Sequence, residues 1–160
     1  MAVRGIAYSA AFVGLWTWVA AQAFRLDARS EVALPRWLGP IGVVLACAGG
    51  LLAAACIATF IVIGRGTPAP FDPPQEFVAS GPYRYVRNPM YLGASAVILG
   101  AGLAFSSPSV VLLAFVLLLV MHLFVLLYEE PALARRFGRS YSDYRASVRR
   151  WIVRMPRGER

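Results

Sequence analysis

Lysine is missing from this sequence of 160 residues, so every one of its 16 cations is an arginine. The chain also has only eight acidic residues, one histidine and two cysteines. It contains no cluster of residues at metal-ligand spacing, no nucleophile-base triad and no glycine-rich phosphate loop. The sequence therefore shows no machinery for cofactor-free hydrolysis and predicts no metal site.

The apolar content is high: 59% of the residues are hydrophobic, and the mean hydropathy is +0.61. An ordinary soluble domain of this length is less apolar, so the composition predicts an integral membrane protein with a single domain, residues 1–160. Both cysteines, Cys47 and Cys56, fall in one apolar block and are too far apart along one helix to form a disulfide. We interpret them as small buried apolar residues.

The apolar residues gather into blocks that predict an all-α membrane protein with four transmembrane helices, the last two forming a hairpin. A proline-rich loop, residues 64–88, separates the second helix from the third. A C-terminal segment, residues 129–160, follows the fourth. The predicted spans are residues 5–24, 39–63, 89–105 and 110–128.

The net charge of +8 admits nucleic acid as a partner, but cations beside apolar spans more often face anionic lipid headgroups. We therefore expect the lipid bilayer and no nucleic acid as a partner. Placing both termini and the 64–88 loop on one side leaves only Arg25, Arg29 and Arg36 on the other. The positive-inside rule makes the arginine-rich side cytoplasmic, with both termini there.

Residues 81–93 crowd turn formers, cations and aromatics between two apolar runs. Asn88 followed by Pro89 predicts a helix start with the Asn88 side chain as its N-cap. A helix N-terminus beside Arg87 and three tyrosines suits an anionic ligand group and a flat ring. The alternative is a capped loop at the membrane surface.

Polar side chains at the end of the fourth span form a second candidate site. Glu129 and Glu130 stand where the span leaves the membrane, so either they are solvated or they bind hydroxyls or an amine of a ligand whose carboxylate is held by Arg87. His122 lies about two helical turns inside the span. It is either a functional group or a hydrogen-bonding partner of a neighbouring helix.

The C-terminal segment repeats apolar residues every three or four positions, which predicts an interfacial amphipathic helix anchored by Trp151 and Ile152. Gly138 is the expected weak point of this helix. The apolar face consists of Leu133, Phe137, Tyr141, Tyr144 and Val148, and the intervening arginines are Arg135, Arg136, Arg139, Arg145 and Arg149.

Two motifs in this order resemble those of the integral-membrane methyltransferases of the isoprenylcysteine carboxyl methyltransferase and phospholipid N-methyltransferase superfamily. The first motif is Gly81-Pro82-Tyr83, Arg87-Asn88-Pro89, Tyr91 and Gly93, and the second is Glu129-Glu130, Leu133, Phe137-Gly138, Tyr141 and Tyr144. The resemblance covers roughly residues 68–156. With four predicted spans, the short chain also resembles the small bacterial members, which implies the bacterial inner membrane.

The resemblance implies S-adenosylmethionine as cofactor and a lipophilic or membrane-borne methyl acceptor that enters from the bilayer. Arg87 and Glu130 would be catalytic. A sulfonium methyl donor needs in-line positioning and exclusion of water more than acid-base help. The residues implied in cofactor binding are Gln75, Glu76, Phe77, Val78, Tyr83, Asn88, Pro89, Met90, Tyr91, Gly93, Glu129 and Glu130.

Two departures from the family pattern bear on the acceptor. Asn88 stands where the family usually has histidine, so this position cannot shuttle protons. Residues 125–128 lack the arginine with which prenylcysteine methyltransferases contact their substrate, which leaves an amine, a thiol or another lipophilic nucleophile open. Two other functions remain: a nicotinamide-dependent membrane reductase, since sterol reductases share the terminal hairpin, and a non-catalytic membrane scaffold.

Overall fold

The computed structural model of the protein describes residues 2–27, 32–64 and 78–153, and within these residues it is all-helical. The predicted all-α class is confirmed. A π-helical turn, Phe60–Gly64, extends the second helix, and a 3-10 turn, Gly81–Arg84, precedes the third. A second π-helical turn, Val125–Glu129, joins the last two helices. The helices are α1 Ala2–Asp27, α2 Leu38–Thr59, α3 Pro89–Ala104, α4 Pro108–Phe124 and α5 Glu130–Ser147.

The helices pack in the spatial order α2, α3, α4, α1. At one end of the molecule, the segment between α1 and α2 meets the α3–α4 turn, where the Leu34 N–H donates to the Ser106 carbonyl. Asp27, the last residue of α1, accepts hydrogen bonds from the Ser107 hydroxyl and the Ser109 N–H at the start of α4. The residue 81–93 motif and the end of α4 therefore lie at the opposite end.

Glycines seven residues apart bring α2 and α3 into backbone contact. A Cβ on Gly42 would lie 2.5 Å from the Gly100 carbonyl oxygen, and a Cβ on Gly49 would lie 2.6 Å from that of Gly93. Such close approach is possible only where no side chain intervenes. The glycine- and alanine-rich sequence of α2 supplies the small residues that this contact needs.

Large apolar side chains cover the outside of the molecule, as in a protein surrounded by lipid. Leu51 on α2 is 73% exposed, and Leu112 on α4 is 63% exposed. Two stretches, Leu38–Val62 and Pro108–Ser147, are long and apolar enough to span a bilayer, whereas α3 is a shorter apolar helix. How many of the helices cross the membrane stays a prediction.

The fourth helix begins two residues earlier than the predicted span and continues beyond its apolar part. It begins at Pro108 instead of residue 110, and α4 and the π-helical turn continue without a break into α5 as far as the kink at Gly138. At about 1.5 Å per residue the part before the kink is roughly 45 Å long, longer than the hydrocarbon core of about 30 Å. The apolar part ends at Tyr128, so the charged remainder extends beyond the core. The expected interruption at Gly138 is confirmed by its φ of 52° and ψ of −120°.

Candidate functional site

The two sequence motifs meet at one end of the helices, as their predicted placement on one membrane face requires. Residues 148–151 form a strap that returns from α5 to the loop before α3. The Arg87 N–H donates to the Arg149 carbonyl at 2.9 Å. The Tyr144 hydroxyl, at the end of α5, donates to the Tyr83 carbonyl at 2.7 Å.

Asn88 occupies the N-cap position of α3, but its side chain makes no capping hydrogen bond. The prediction of a side-chain cap was wrong. The carboxamide instead donates from Nδ2 to the carbonyl oxygen of Arg150 at 3.2 Å, and Asn88 is 6% exposed. The Arg150 carbonyl lies in the strap, so this hydrogen bond links the strap to the start of α3.

The two adjacent glutamates have different partners, because successive residues of a helix point about 100° apart. Glu129 accepts a 2.9 Å hydrogen bond at Oε2 from the Tyr91 hydroxyl. Glu130 is 6% exposed and accepts from Arg150 Nε at 2.6 Å and from Arg150 Nη2 at 2.9 Å. Glu130 is thus fully engaged by the protein, and Glu129 is the carboxylate that shares its site with Tyr91.

Arg87 completes an ion triad around Glu130. Its Nη1 lies 3.1 Å from Glu130 Oε1 but without the angle of a hydrogen bond, and its buried Nε and Nη1 have no hydrogen-bond partner among the described residues. Burial raises the pKa of Glu130, but the Arg150 hydrogen bonds and the Arg87 charge outweigh it and hold the pKa below the usual 4.5. Since two arginines surround one carboxylate, the cluster has spare positive charge and spare donors for an anionic group.

An apolar wall adjoins the carboxylates. Tyr83 is 8% exposed and forms one buried cluster with Cys56 and Val78, and Met90 packs against this cluster. The Phe60 ring meets the Tyr83 ring edge-on, with centroids 5.3 Å apart. Burial raises the pKa of the Tyr83 phenol, so this group stays neutral. The predicted burial is confirmed for Cys56, but it was wrong for Cys47, which is exposed on α2.

The other residues that the resemblance assigned to the cofactor divide into two groups. Pro89 is fully buried at the start of α3, and Gly93 packs against the backbone of α2, where a Cβ would lie 2.8 Å from the Gly49 carbonyl oxygen. These positions have a packing reason, and their binding role stays a prediction. Gln75, Glu76 and Phe77 lie outside the described residues.

Two residues of the strap contact the site region, and neither of these contacts was predicted from the sequence. Arg150 forms the two-point contact with Glu130, and Trp151 donates from Nε1 to His122 Nδ1 at 2.9 Å. His122 thus has a hydrogen-bond partner, but in the strap and not on a neighbouring helix. No local signal marks either contact, since their partners are 20 and 29 residues apart in the sequence.

Comparison with known protein families identifies the family of this chain. The profile of the phospholipid methyltransferase family matches residues 38–140, well over half of the chain. The chain belongs to this family. The matched region runs from α2 into α5 and includes the first motif and the second as far as Gly138, but not Tyr141, Tyr144 or the strap. The family indicates a membrane methyltransferase. No curated protein and no solved structure matches the chain.

Proposed function

We propose that this protein transfers a methyl group from S-adenosylmethionine to a lipophilic or membrane-borne acceptor at the cytoplasmic face of the membrane. The observation that carries the proposal is the family match over residues 38–140, which includes the first motif and both glutamates of the second. A nicotinamide-dependent reductase and a non-catalytic scaffold gain no support from this match.

The residues present fit the cofactor. Nη1 of Arg87 already pairs with Glu130, but the buried Nε lacks a hydrogen-bond partner among the described residues and would bind one oxygen of a carboxylate. Glu129, already paired with Tyr91, would accept hydrogen bonds from an ammonium or from hydroxyl groups. The aromatic faces of Tyr83 and Tyr91 suit a flat ring or a sulfonium cation.

The bound cofactor would supply an electrophilic methyl group. The chain then has to hold and orient the cofactor and the acceptor, and it has to exclude water from them. In our proposal Glu129 and Arg87 contact the ligand. Glu130 keeps Arg87 and Arg150 in place. We therefore propose that it positions the arginines and does not contact the ligand, in place of the catalytic role that the resemblance implied. Tyr83 and its apolar cluster exclude water from one side of the ligand.

The charge distribution supports the cytoplasmic face. Exposed arginines gather at the end of the molecule that carries the site, whereas the described part of the other end has Arg25 and Arg36. An excess of arginine marks the cytoplasmic side of a membrane protein. The exposed arginines at the site end are Arg84, Arg135, Arg136, Arg139, Arg145 and Arg149.

Calorimetric titration of S-adenosylhomocysteine into the detergent-solubilised protein tests the proposal. Glu129→Gln and Tyr91→Phe should each weaken binding about tenfold or more, because each loses or weakens a charged hydrogen bond at the ligand. The matched controls are Asp143→Asn, an exposed carboxylate on α5, and Tyr128→Phe, a tyrosine that is 49% exposed. Both controls should bind like the wild type.

A folded wild-type protein that gives no binding heat would refute the proposal. Binding of a nicotinamide dinucleotide in the same titration would move the reductase ahead. If the control variants lose as much affinity as Glu129→Gln, the ligand lies elsewhere.

A further inference from the structure

The strap contacts the long helix on both sides of its π-helical turn, Val125–Glu129. On one side, Trp151 Nε1 donates to His122, three residues before the turn begins. On the other side, Arg150 holds Glu130, the residue that directly follows the turn. Two neighbouring strap residues thus bracket the segment that ends in Glu129.

The π-helical turn decides where Glu129 points. A π-helical turn holds about one residue more than an α-helical turn, so it rotates the residues that follow by roughly 100° relative to an uninterrupted α-helix. In this register Glu129 meets the Tyr91 hydroxyl and Glu130 meets the two arginines. π-Helical turns are rare and frequently lie at functional sites, and we expect this register to be supported by contacts from outside the helix.

We propose that Arg150 and Trp151 are positioning residues, which hold the π-helical turn in the register that aims Glu129 at the candidate site. The inference rests on the proposed function, since it assigns Glu129 to the ligand. The family match ends at residue 140, so the strap lies outside the matched region.

The two strap contacts, Trp151 with His122 and Arg150 with Glu130, are both directional, as contacts that fix the register of the helix must be. The indole N–H of Trp151 is a donor only, so Nδ1 of His122 accepts, and the ring proton of the neutral imidazole lies on Nε2. The planar guanidinium of Arg150 binds both oxygens of Glu130 at once, which fixes the direction of the carboxylate as well as its distance. Lysine would supply the charge without this directional contact.

The first test compares two consecutive arginines with S-adenosylhomocysteine as the calorimetric probe. Arg150→Ala should weaken binding about 10- to 100-fold, because a turned Glu129 loses one charged hydrogen bond to the ligand. Arg149→Ala removes the same charge from an exposed side chain and should leave binding within about twofold. Arg150→Lys should recover only part of the affinity.

The second test leaves the strap sequence unchanged. His122→Leu removes the acceptor of Trp151, whereas His122→Asn keeps an oxygen near the position of Nδ1. We expect about tenfold weaker binding in the leucine variant, recovery in the asparagine variant, and trypsin cleavage after Arg149 only in the leucine variant. The double variant His122→Leu/Arg150→Ala should bind about as weakly as Arg150→Ala alone, because both changes release the same strap from the helix.

The outcomes separate this inference from the proposed function. Loss of affinity in Arg150→Ala and His122→Leu, with recovery in His122→Asn, supports the inference. A wild-type protein that binds the probe while all variants bind equally well overturns the positioning role and leaves the proposed function standing. Strictly additive effects in the double variant also overturn it. A folded wild type that does not bind the probe overturns the proposed function, and the positioning role with it.

Discussion

Gly42 and Gly100 touch across the contact between α2 and α3: a Cβ added to Gly100 would lie 2.5 Å from the Gly42 carbonyl oxygen and 2.5 Å from the Ala46 nitrogen. The neighbours are backbone atoms, which cannot rotate away as a side chain can. This contact, with its counterpart between Gly49 and Gly93, sets the position of the start of α3 relative to α2. The candidate site is built on that start, so helix packing and site geometry are coupled.

Gly100→Ala should therefore destabilise the protein, although alanine favours a helix. Forcing one methyl group into the contact costs about 1–3 kcal/mol, more than the roughly 1 kcal/mol that alanine gains in helix propensity. Thermal unfolding in detergent measures the difference. Gly50→Ala is the control on α2, since nothing lies within 4 Å of its added Cβ. A Gly100→Ala protein that melts as high as Gly50→Ala would contradict the close contact.

The ion triad predicts a pH dependence of stability. The pKa of Glu130 in the folded protein lies below its usual 4.5. Its contribution to the free energy of unfolding is therefore complete above about pH 4.5 and is lost as the pH falls through the folded pKa. Thermal unfolding between about pH 3 and pH 7 should show a fall at the acid end of this range.

Glu130→Gln should remove this contribution at neutral pH and flatten the acid part of the profile. Loss of one partner of a buried ion pair costs about 3–5 kcal/mol, and we expect the lower end because the Arg150 side chain is 27% exposed. Asp143→Asn, on the exposed side of α5, is the matched control and should keep the wild-type profile. An unchanged acid profile in Glu130→Gln would mean that another group carries the effect.

The sequence sufficed for the parts of the fold that follow from local patterns. The apolar runs predict the helices, Pro89 predicts the start of α3, and the positive φ of Gly138 agrees with the weak point expected there. The four predicted membrane crossings also place the two motifs at the same end of the molecule. These features depend on hydrophobic spacing and on the backbone preferences of single residues.

The remaining features depend on contacts between distant residues. Asn88 has the residue type of an N-cap, yet its side chain donates to the Arg150 carbonyl, 62 residues later. The π-helical turn has no sequence signature, and without it the different directions of Glu129 and Glu130 cannot be derived. The sequence therefore indicates that both glutamates matter, whereas the structure distinguishes between them.

A serine at the other end of the molecule fixes the start of α4. The Ser107 hydroxyl accepts the Val110 N–H at 3.2 Å and donates to the Asp27 carboxylate at the end of α1. Ser107 is 1% exposed, so its hydroxyl depends on these two partners and not on water. Ser107→Ala should lower the free energy of unfolding by about 1–2 kcal/mol, the usual cost of a lost N-cap. Ser140→Ala, an exposed serine on α5, should change it by less than about 0.5 kcal/mol.

The Tyr144 hydroxyl tests whether α5 and the 3-10 turn act together at the site. It donates at 2.7 Å to the carbonyl of Tyr83, whose ring forms the apolar wall. Tyr144→Phe keeps the ring and removes the donor, which should cost about 1 kcal/mol in thermal unfolding. Because the freed carbonyl lets Tyr83 shift, the affinity for S-adenosylhomocysteine should fall about threefold to tenfold. Tyr85→Phe, a neighbouring tyrosine that is 39% exposed, is the control. Equal affinities in the two variants would mean that Tyr83 keeps its place without α5.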